Sequence, residues 1–156
     1  ASWLAVSGGT VVLVSGQLGT TGVDAVTGAV RWQAPVGERG AASHDHAVIS
    51  DGVVLVLGQD NQVHALEVSS GAQRWARPDT AAGGGTADRT PAAAAGVVYA
   101  ANTGGRVYAI DLATGASRGD YLAAEQLSGV GVVAAQGGTV YLGGYLGTGV
   151  QAVDLR

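Results

Sequence analysis

Residues 65–75 read A-L-E-V-S-S-G-A-Q-R-W, and this stretch decides the fold because it recurs. Residues 22–32 read G-V-D-A-V-T-G-A-V-R-W, and residues 109–119 read A-I-D-L-A-T-G-A-S-R-G, with Gly119 where tryptophan would fall. A fourth copy opens at Ala152 as A-V-D-L-R. The turn glycines Gly28, Gly71 and Gly115 stand 43 and 44 residues apart, and the acids Asp24, Glu67, Asp111 and Asp154 step by 43, 44 and 43. Gly9, Gly52, Gly96 and Gly138, each just ahead of a β-prone run, step by 43, 44 and 42. Landmarks that agree to within a residue mark a structural repeat.

Each unit holds four strand-like pieces and no useful stretch of helical period. In the second unit these are residues 46–50, 53–57, 62–68 and 72–76, with Asp51-Gly52 as the first turn and Pro78 after the last piece. The unbroken run Val-Val-Leu-Val-Leu at 53–57 predicts a strand covered on both faces, since a half-buried strand would alternate. Four strands in each repeat of this length read as a propeller blade. The expected fold class is therefore all-β, a β-propeller of four-stranded antiparallel blades.

The motif has a physical logic. The apolar residue ahead of each acid (Val23, Leu66, Ile110, Val153) belongs inside the blade. The acid is placed to accept backbone N–H groups of the turn that follows, and the turn glycine can take a positive φ. The tryptophan four residues later is flat, large and needs an acceptor for its indole N–H. That shape suits the wedge between neighbouring blades.

The pattern A-x-D-x-x-x-G-x-x-x-W resembles the tryptophan-docking motif of the PQQ-like, or quinoprotein-type, β-propeller repeat family, over essentially the whole chain. The resemblance implies structural roles for Asp24, Gly28, Trp32, Glu67, Gly71, Trp75, Asp111 and Gly115. It implies one propeller domain over 1–156, with blades at about 1–35, 36–78, 79–123 and 124–156, the last lacking its outer strand. Family rings mostly carry more than four blades, so this chain is expected to be part of a larger ring. Two copies pairing to close a ring is the next alternative. Blade three departs most, because Gly119 loses the wedge residue and Tyr121 is left to fill part of the space.

Composition excludes several functions. The net charge is −4, there is no lysine, and the eight arginines are scattered, which argues against nucleic acid. With no cysteine there is no disulfide and no thiolate metal site. No apolar run approaches the roughly 18 residues of a membrane span. The lack of methionine, even at position 1, suggests a segment cut from a longer protein, and the bias toward Ala, Gly and Val, with Arg used in place of Lys, suggests a bacterial source.

By the family frame, binding belongs at the channel mouth, on loops 36–46, 77–90 and 120–128 and on turns 58–61 and 102–105. The polar residues collected there are Glu38, Arg39, His44, Asp45, His46, Asp60, Asn61, Asp88, Arg89, Asn102 and Gln126. His44-Asp45-His46 has metal-ligating residue types, but no third ligand is identifiable, and loop residues without a metal are the preferred reading. His64 matches Tyr108 of the next unit and reads as a packed, hydrogen-bonded strand residue. No G-x-S-x-G elbow is present, and the Gly-rich run in 79–90 lacks the lysine and helix of a phosphate loop.

No catalytic residue is assigned. The preferred function is a non-catalytic repeat module for protein interaction or ligand sensing within a larger bacterial protein. Family localisation favours an extracytoplasmic setting. Its partners would be another protein or the remaining blades, with a small ligand also possible, and no cofactor is expected. Two alternatives come from other members of the family: a fragment of a PQQ-dependent dehydrogenase, which would use PQQ and Ca²⁺, and a scaffold in outer-membrane protein assembly.

Overall fold

The computed structural model describes residues 2–15, 19–36, 47–57, 62–78, 91–101, 106–122, 130–144 and 150–154. These residues form antiparallel strands, with no helix among them. The chain divides into two compact units, Ala1–Pro78 and Asp79–Arg156.

The first unit holds two four-stranded sheets. One is made of β1 (Ser2–Ser7), β2 (Thr10–Ser15), β3 (Gly19–Asp24) and β4 (Val30–Ala34), and the other of β5 (Ala47–Ser50), β6 (Val53–Leu57), β7 (Gln62–Glu67) and β8 (Gln73–Pro78). The second unit holds a four-stranded sheet of β9 (Ala92–Ala94), β10 (Val97–Ala101), β11 (Arg106–Asp111) and β12 (Ser117–Leu122). Beside it lies a three-stranded sheet of β13 (Val130–Gln136), β14 (Thr139–Gly144) and β15 (Val150–Asp154). Every sheet is a meander in chain order.

The first hairpin of each sheet is set by its turn chemistry. Ser7 pairs with Thr10, Ser50 with Val53, Ala94 with Val97 and Gln136 with Thr139, leaving two residues in each turn. Both turn residues have positive φ in all four: Gly8-Gly9, Asp51-Gly52, Ala95-Gly96 and Gly137-Gly138. Two-residue turns with positive φ at both positions match the twist of the flanking strands. Asp51 tolerates that region well, whereas Ala95 at φ 52° is under strain.

The core of the first unit lies between its two sheets. Val12, Val14, Trp32 and Ala34 meet Ala47, Val54, Val56, Leu66 and Val68. Val53, Val54, Leu55 and Val56 are all buried, so the run at 53–57 is covered on both faces where its side chains are described. In β2 burial alternates instead. The core of the second unit joins Val97, Tyr99, Val107 and Ala109 to Val140, Leu142 and Val153. Burial pushes the Tyr99 phenol up from its ordinary value.

Some boundaries move from the sequence expectation. The third strand of the second sheet ends at Glu67, because Val68 N–H turns to donate to Gly52 O at 2.9 Å. The fourth reaches Pro78, which pairs with Gln62. A proline is tolerated there because β8 ends the strand order of its sheet, where an N–H is dispensable. Of the residues expected inside the blades, Leu66, Ile110 and Val153 are buried but Val23 is only half-buried.

Candidate functional site

Three joints with the same backbone hydrogen bonds follow from the repeated stretch. In the first, Asp24 N–H donates to Ala29 O at 2.8 Å, Gly28 N–H to Asp24 O at 2.9 Å, and Ala25 N–H to Gly9 O at 3.0 Å. The same three bonds recur around Glu67, Gly71 and Val68, and around Asp111, Gly115 and Leu112. The backbone of the turn is thus self-satisfied and needs little from its surroundings.

The acid ties the turn together from its side chain. Asp24 Oδ1 accepts N–H bonds from Val26 at 2.9 Å and Thr27 at 2.7 Å. Asp111 Oδ1 accepts them from Ala113 at 3.0 Å and Thr114 at 2.8 Å, and also the Thr114 hydroxyl at 2.9 Å.

An arginine that the sequence reading passed over completes each joint. The ladder pairs Val23 with Val30 and Gly22 with Trp32, leaving Arg31 opposite no residue. Arg74 and Arg118 are skipped in the same way. A β-bulge bends its strand and re-aims the extra side chain. Here it sends each guanidinium to the acid seven positions earlier. Arg31 Nε and Nη2 reach Asp24 Oδ2 at 3.1 and 2.5 Å, and Arg118 Nε and Nη2 reach Asp111 Oδ2 at 3.2 and 2.5 Å. Arg74 Nε donates to Glu67 Oε1 at 2.7 Å. Arg31 also donates from Nη1 to the buried Thr10 hydroxyl at 2.8 Å. The signal was present in the sequence, since Arg31, Arg74 and Arg118 keep the 43- and 44-residue steps of the acids.

These contacts fix the chemistry of the acids. The Thr27 N–H, and then the Arg31 guanidinium and Val26 N–H, hold the Asp24 carboxyl well below the usual carboxylate range. Arg118, and then the Thr114 hydroxyl and N–H, lower Asp111 to about 2. A carboxylate held ionised and fully engaged is a poor proton donor near neutral pH. Asp24 and Asp111 act as ties.

Trp32 lies between the two sheets of its unit. Its indole N–H donates to Val68 O at 2.9 Å. A Cβ built on Gly22 would stand 2.2 Å from the indole, and one on Gly71 would stand 2.5 Å from it. The ring is seated between two glycines, one across the ladder on β3 and one on the turn of the neighbouring sheet. Trp75, paired with Ala65, is buried to the same degree as Trp32.

At the matching position of β12, Gly119 pairs with Ala109 and has φ 139°. Tyr121 packs against the second unit's core and accepts a bond from Gln151 Nε2 at 3.1 Å. It links β12 to β15.

The binding candidates Glu38, Arg39, His44, Asp45, His46, Asp60, Asn61, Asp88, Arg89, Asn102 and Gln126 all lie outside the described residues. His64 is described: it is half-buried on β7, with Nδ1 at 2.9 Å from Gln73 Oε1, so that Nδ1–H donates. Among the described residues no group of three His, Cys, Asp or Glu is placed to hold a metal ion. No helix among them is long and apolar enough to cross a membrane.

Residues 1–156 match the family model described as outer membrane protein assembly factor BamB. The chain is 36% identical over 153 residues to the serine/threonine-protein kinase AfsK of Streptomyces griseus, covering 94% of this chain and 19% of that protein. BamB from Moraxella catarrhalis superposes with a TM-score of 0.69 at 25% identity, over 97% of this chain and 45% of that one. A europium-containing methanol dehydrogenase superposes with a TM-score of 0.62 at 20% identity, over 75% of this chain and 23% of that one. The last likeness concerns the fold alone. The chain thus spans about a fifth of the kinase and under half of the BamB structure.

Proposed function

The chain belongs to the PQQ-like β-propeller repeat family of the outer membrane protein assembly factor BamB, and on that premise we propose that it is a non-catalytic module for sensing a ligand or binding a protein within a larger bacterial protein. The observation that carries this is its 36% identity to a serine/threonine-protein kinase of which it matches 19%. Protein-kinase chemistry requires a lysine against the ATP phosphates. This chain has no lysine at all, and its described residues are strands and turns. A segment of this kind supplies the kinase with something other than phosphoryl transfer, and recognition is the task that a repeat scaffold with variable loops performs.

The repeat supports placing recognition away from the joints. The acids, arginines and Trp32 of the joints are engaged with one another and with backbone. Binding falls to the segments that do not repeat, through Glu38, Arg39, His44, Asp45, His46, Asp60, Asn61, Asp88, Arg89 and Asn102. The setting we propose is extracytoplasmic, and the binding needs no cofactor.

The test is a thermal-shift screen of the chain with peptides and small metabolites. A compound that raises Tm in the wild type, but not in Asp60→Ala or Arg89→Ala, supports the proposal. A shift that survives alanine at all ten positions overturns the loop assignment. Stabilisation by PQQ with Ca²⁺ would instead favour the dehydrogenase alternative. A role in outer-membrane protein assembly is a second reading, favoured by the 25% identity to BamB across 97% of the chain; selective binding of peptides from outer-membrane β-strands is its distinguishing outcome.

A further inference from the structure

The second residue of the third strand is buried in each four-stranded sheet: Thr20, Val63 and Val107 are 0%, 3% and 0% exposed. They stand 43 and 44 residues apart, as the acids do. Threonine and valine are both β-branched, so the apolar packing of this position gains nothing from a hydroxyl. Burying a hydroxyl without a partner is costly. Here it has one, because Thr20 Oγ1 donates to Val36 O at 3.2 Å. Val36 also packs against the core between the first two sheets.

Gly19 serves the same contact. It has φ 70°, and a Cβ there would stand 2.5 Å from Ala34 O and 3.3 Å from Pro35 Cα. The backbone at Ala34 and Pro35 thus lies against β3 at a distance that glycine permits. The counterparts of Gly19 are Gln62 and Arg106, which carry long side chains. The sheets end differently as a result. Gln62 pairs with Pro78 and Arg106 with Leu122, and β8 and β12 run to those residues. Their counterpart is Pro35, but β4 stops one residue earlier, at Ala34 opposite Thr20.

We propose that Gly19 and Thr20 form an anchor that takes the chain off the ladder after Ala34 and holds it at Val36. The second and third sheets have neither residue at these positions. Glu38 and Arg39, two of the residues proposed for binding, follow Val36 within three positions. Thr20 is therefore a positioning residue, which acts through the Val36 carbonyl on the point where that segment leaves the sheet. Its use in binding rests on the recognition reading above, whereas the anchor itself does not.

Trypsin tests the anchor without a ligand. The chain has no lysine, so it is cut only after arginine. Arg39 follows the first sheet in sequence, and Arg89 follows the second, which lacks the anchor. Native-state cleavage tracks the population of the opened segment. Thr20→Val removes the hydroxyl and keeps the shape, and it should fold because Val63 and Val107 occupy the same position. Cleavage after Arg39 should speed up about tenfold, as expected for one buried hydrogen bond. Cleavage after Arg89 should keep its wild-type rate. Thr20→Ser, which retains the hydroxyl, should restore slow cleavage after Arg39. An unchanged Arg39 rate in Thr20→Val overturns the proposal. Equal acceleration at both arginines also overturns it, because the loosening would then be global. If Thr20→Ser is cut as fast as Thr20→Val, the hydroxyl bond is not the anchor. These rates involve no ligand, so they hold or fail independently of the compound screen.

Discussion

Trp32 donates its indole N–H to the carbonyl oxygen of Val68 across 2.9 Å, joining one sheet to the next. The bond and the burial of the ring contribute separately. Trp32→Ala should destabilise by about 3–5 kcal/mol, the range for removing a buried tryptophan. Trp32→Phe keeps most of the apolar surface but leaves the buried Val68 carbonyl without this donor, and should cost about 1–3 kcal/mol. Trp75→Ala should fall in the same range as Trp32→Ala, about 3–5 kcal/mol. Urea titrations at constant m-value measure all three. A loss below about 1 kcal/mol for Trp32→Ala would mean that the joint is not a principal support.

Gly28 and Gly71 form a matched pair that separates backbone strain from packing. Both have φ near the same value, 74° and 73°. An alanine at Gly28 meets only the left-handed conformational penalty, about 1–2 kcal/mol. At Gly71 the same methyl also stands 2.5 Å from the Trp32 ring, and overpacking adds about 1–3 kcal/mol. Gly71→Ala is therefore expected to be the worse of the two. In a Trp32→Ala background the difference should vanish. Equal costs in the wild-type background would show that the ring yields freely.

Most of this architecture was legible in the sequence because a repeat tests itself. The period, the strands and the glycine turn leave the same residue types at the same spacing, whereas the tryptophan recurs only as Trp32 and Trp75, with Gly119 at the third position. The docking glycines were legible only in part. Gly71 was assigned for its φ, while its second duty, giving room to Trp32, depends on a ring 39 positions earlier in the chain. The bulge arginines were missed because an exposed arginine near an acid is ordinary, and only the strand register shows that Arg31, Arg74 and Arg118 are the skipped residues. The residues proposed for binding are the least legible part. Their sequence varies from unit to unit, so no internal copy of Glu38, Asp60 or Arg89 exists against which to check them.

Acid should loosen the joints. Asp24, through the Thr27 N–H first and Arg31 next, and Asp111, through Arg118 first, are harder to protonate in the folded chain than in the unfolded one. The folded state thus binds fewer protons, and their contribution is complete above the unfolded aspartate value of about 3.9. It is lost progressively as pH falls below about 4 toward the folded value of about 2 at Asp111. Scanning calorimetry from pH 7 to pH 2 should show Tm falling over that interval. Asp111→Asn should lower Tm at pH 7 and flatten the decline. Because these ion pairs face solvent, about 0.5 M salt should weaken the arginine share of the effect while sparing the N–H bonds of the turn. A Tm with no dependence on pH below 4 would rule out the carboxylates as ties.

Restoring the missing tryptophan should fail. By repeat logic alone, Gly119→Trp completes the third motif and ought to stabilise the chain. The backbone opposes it, because Gly119 sits at φ 139°, a region that residues with a Cβ rarely adopt. Space is not the obstacle, since a Cβ there meets nothing within 4 Å. The adjoining structure has a different anchor, with Tyr121 packed against the core and accepting a bond from Gln151 across to β15. Gly119→Trp is therefore expected to lower stability by about 1–3 kcal/mol, the cost of holding a side-chain residue in such a region. Gly119→Ala should lose a similar amount, since the penalty comes from φ and not from ring size. Tyr121→Phe, which removes only the acceptor for Gln151, should cost less, about 1 kcal/mol. Denaturant midpoints for the three variants decide the matter: a Gly119→Trp chain more stable than the wild type would mean that β12 can be rebuilt as β4 is.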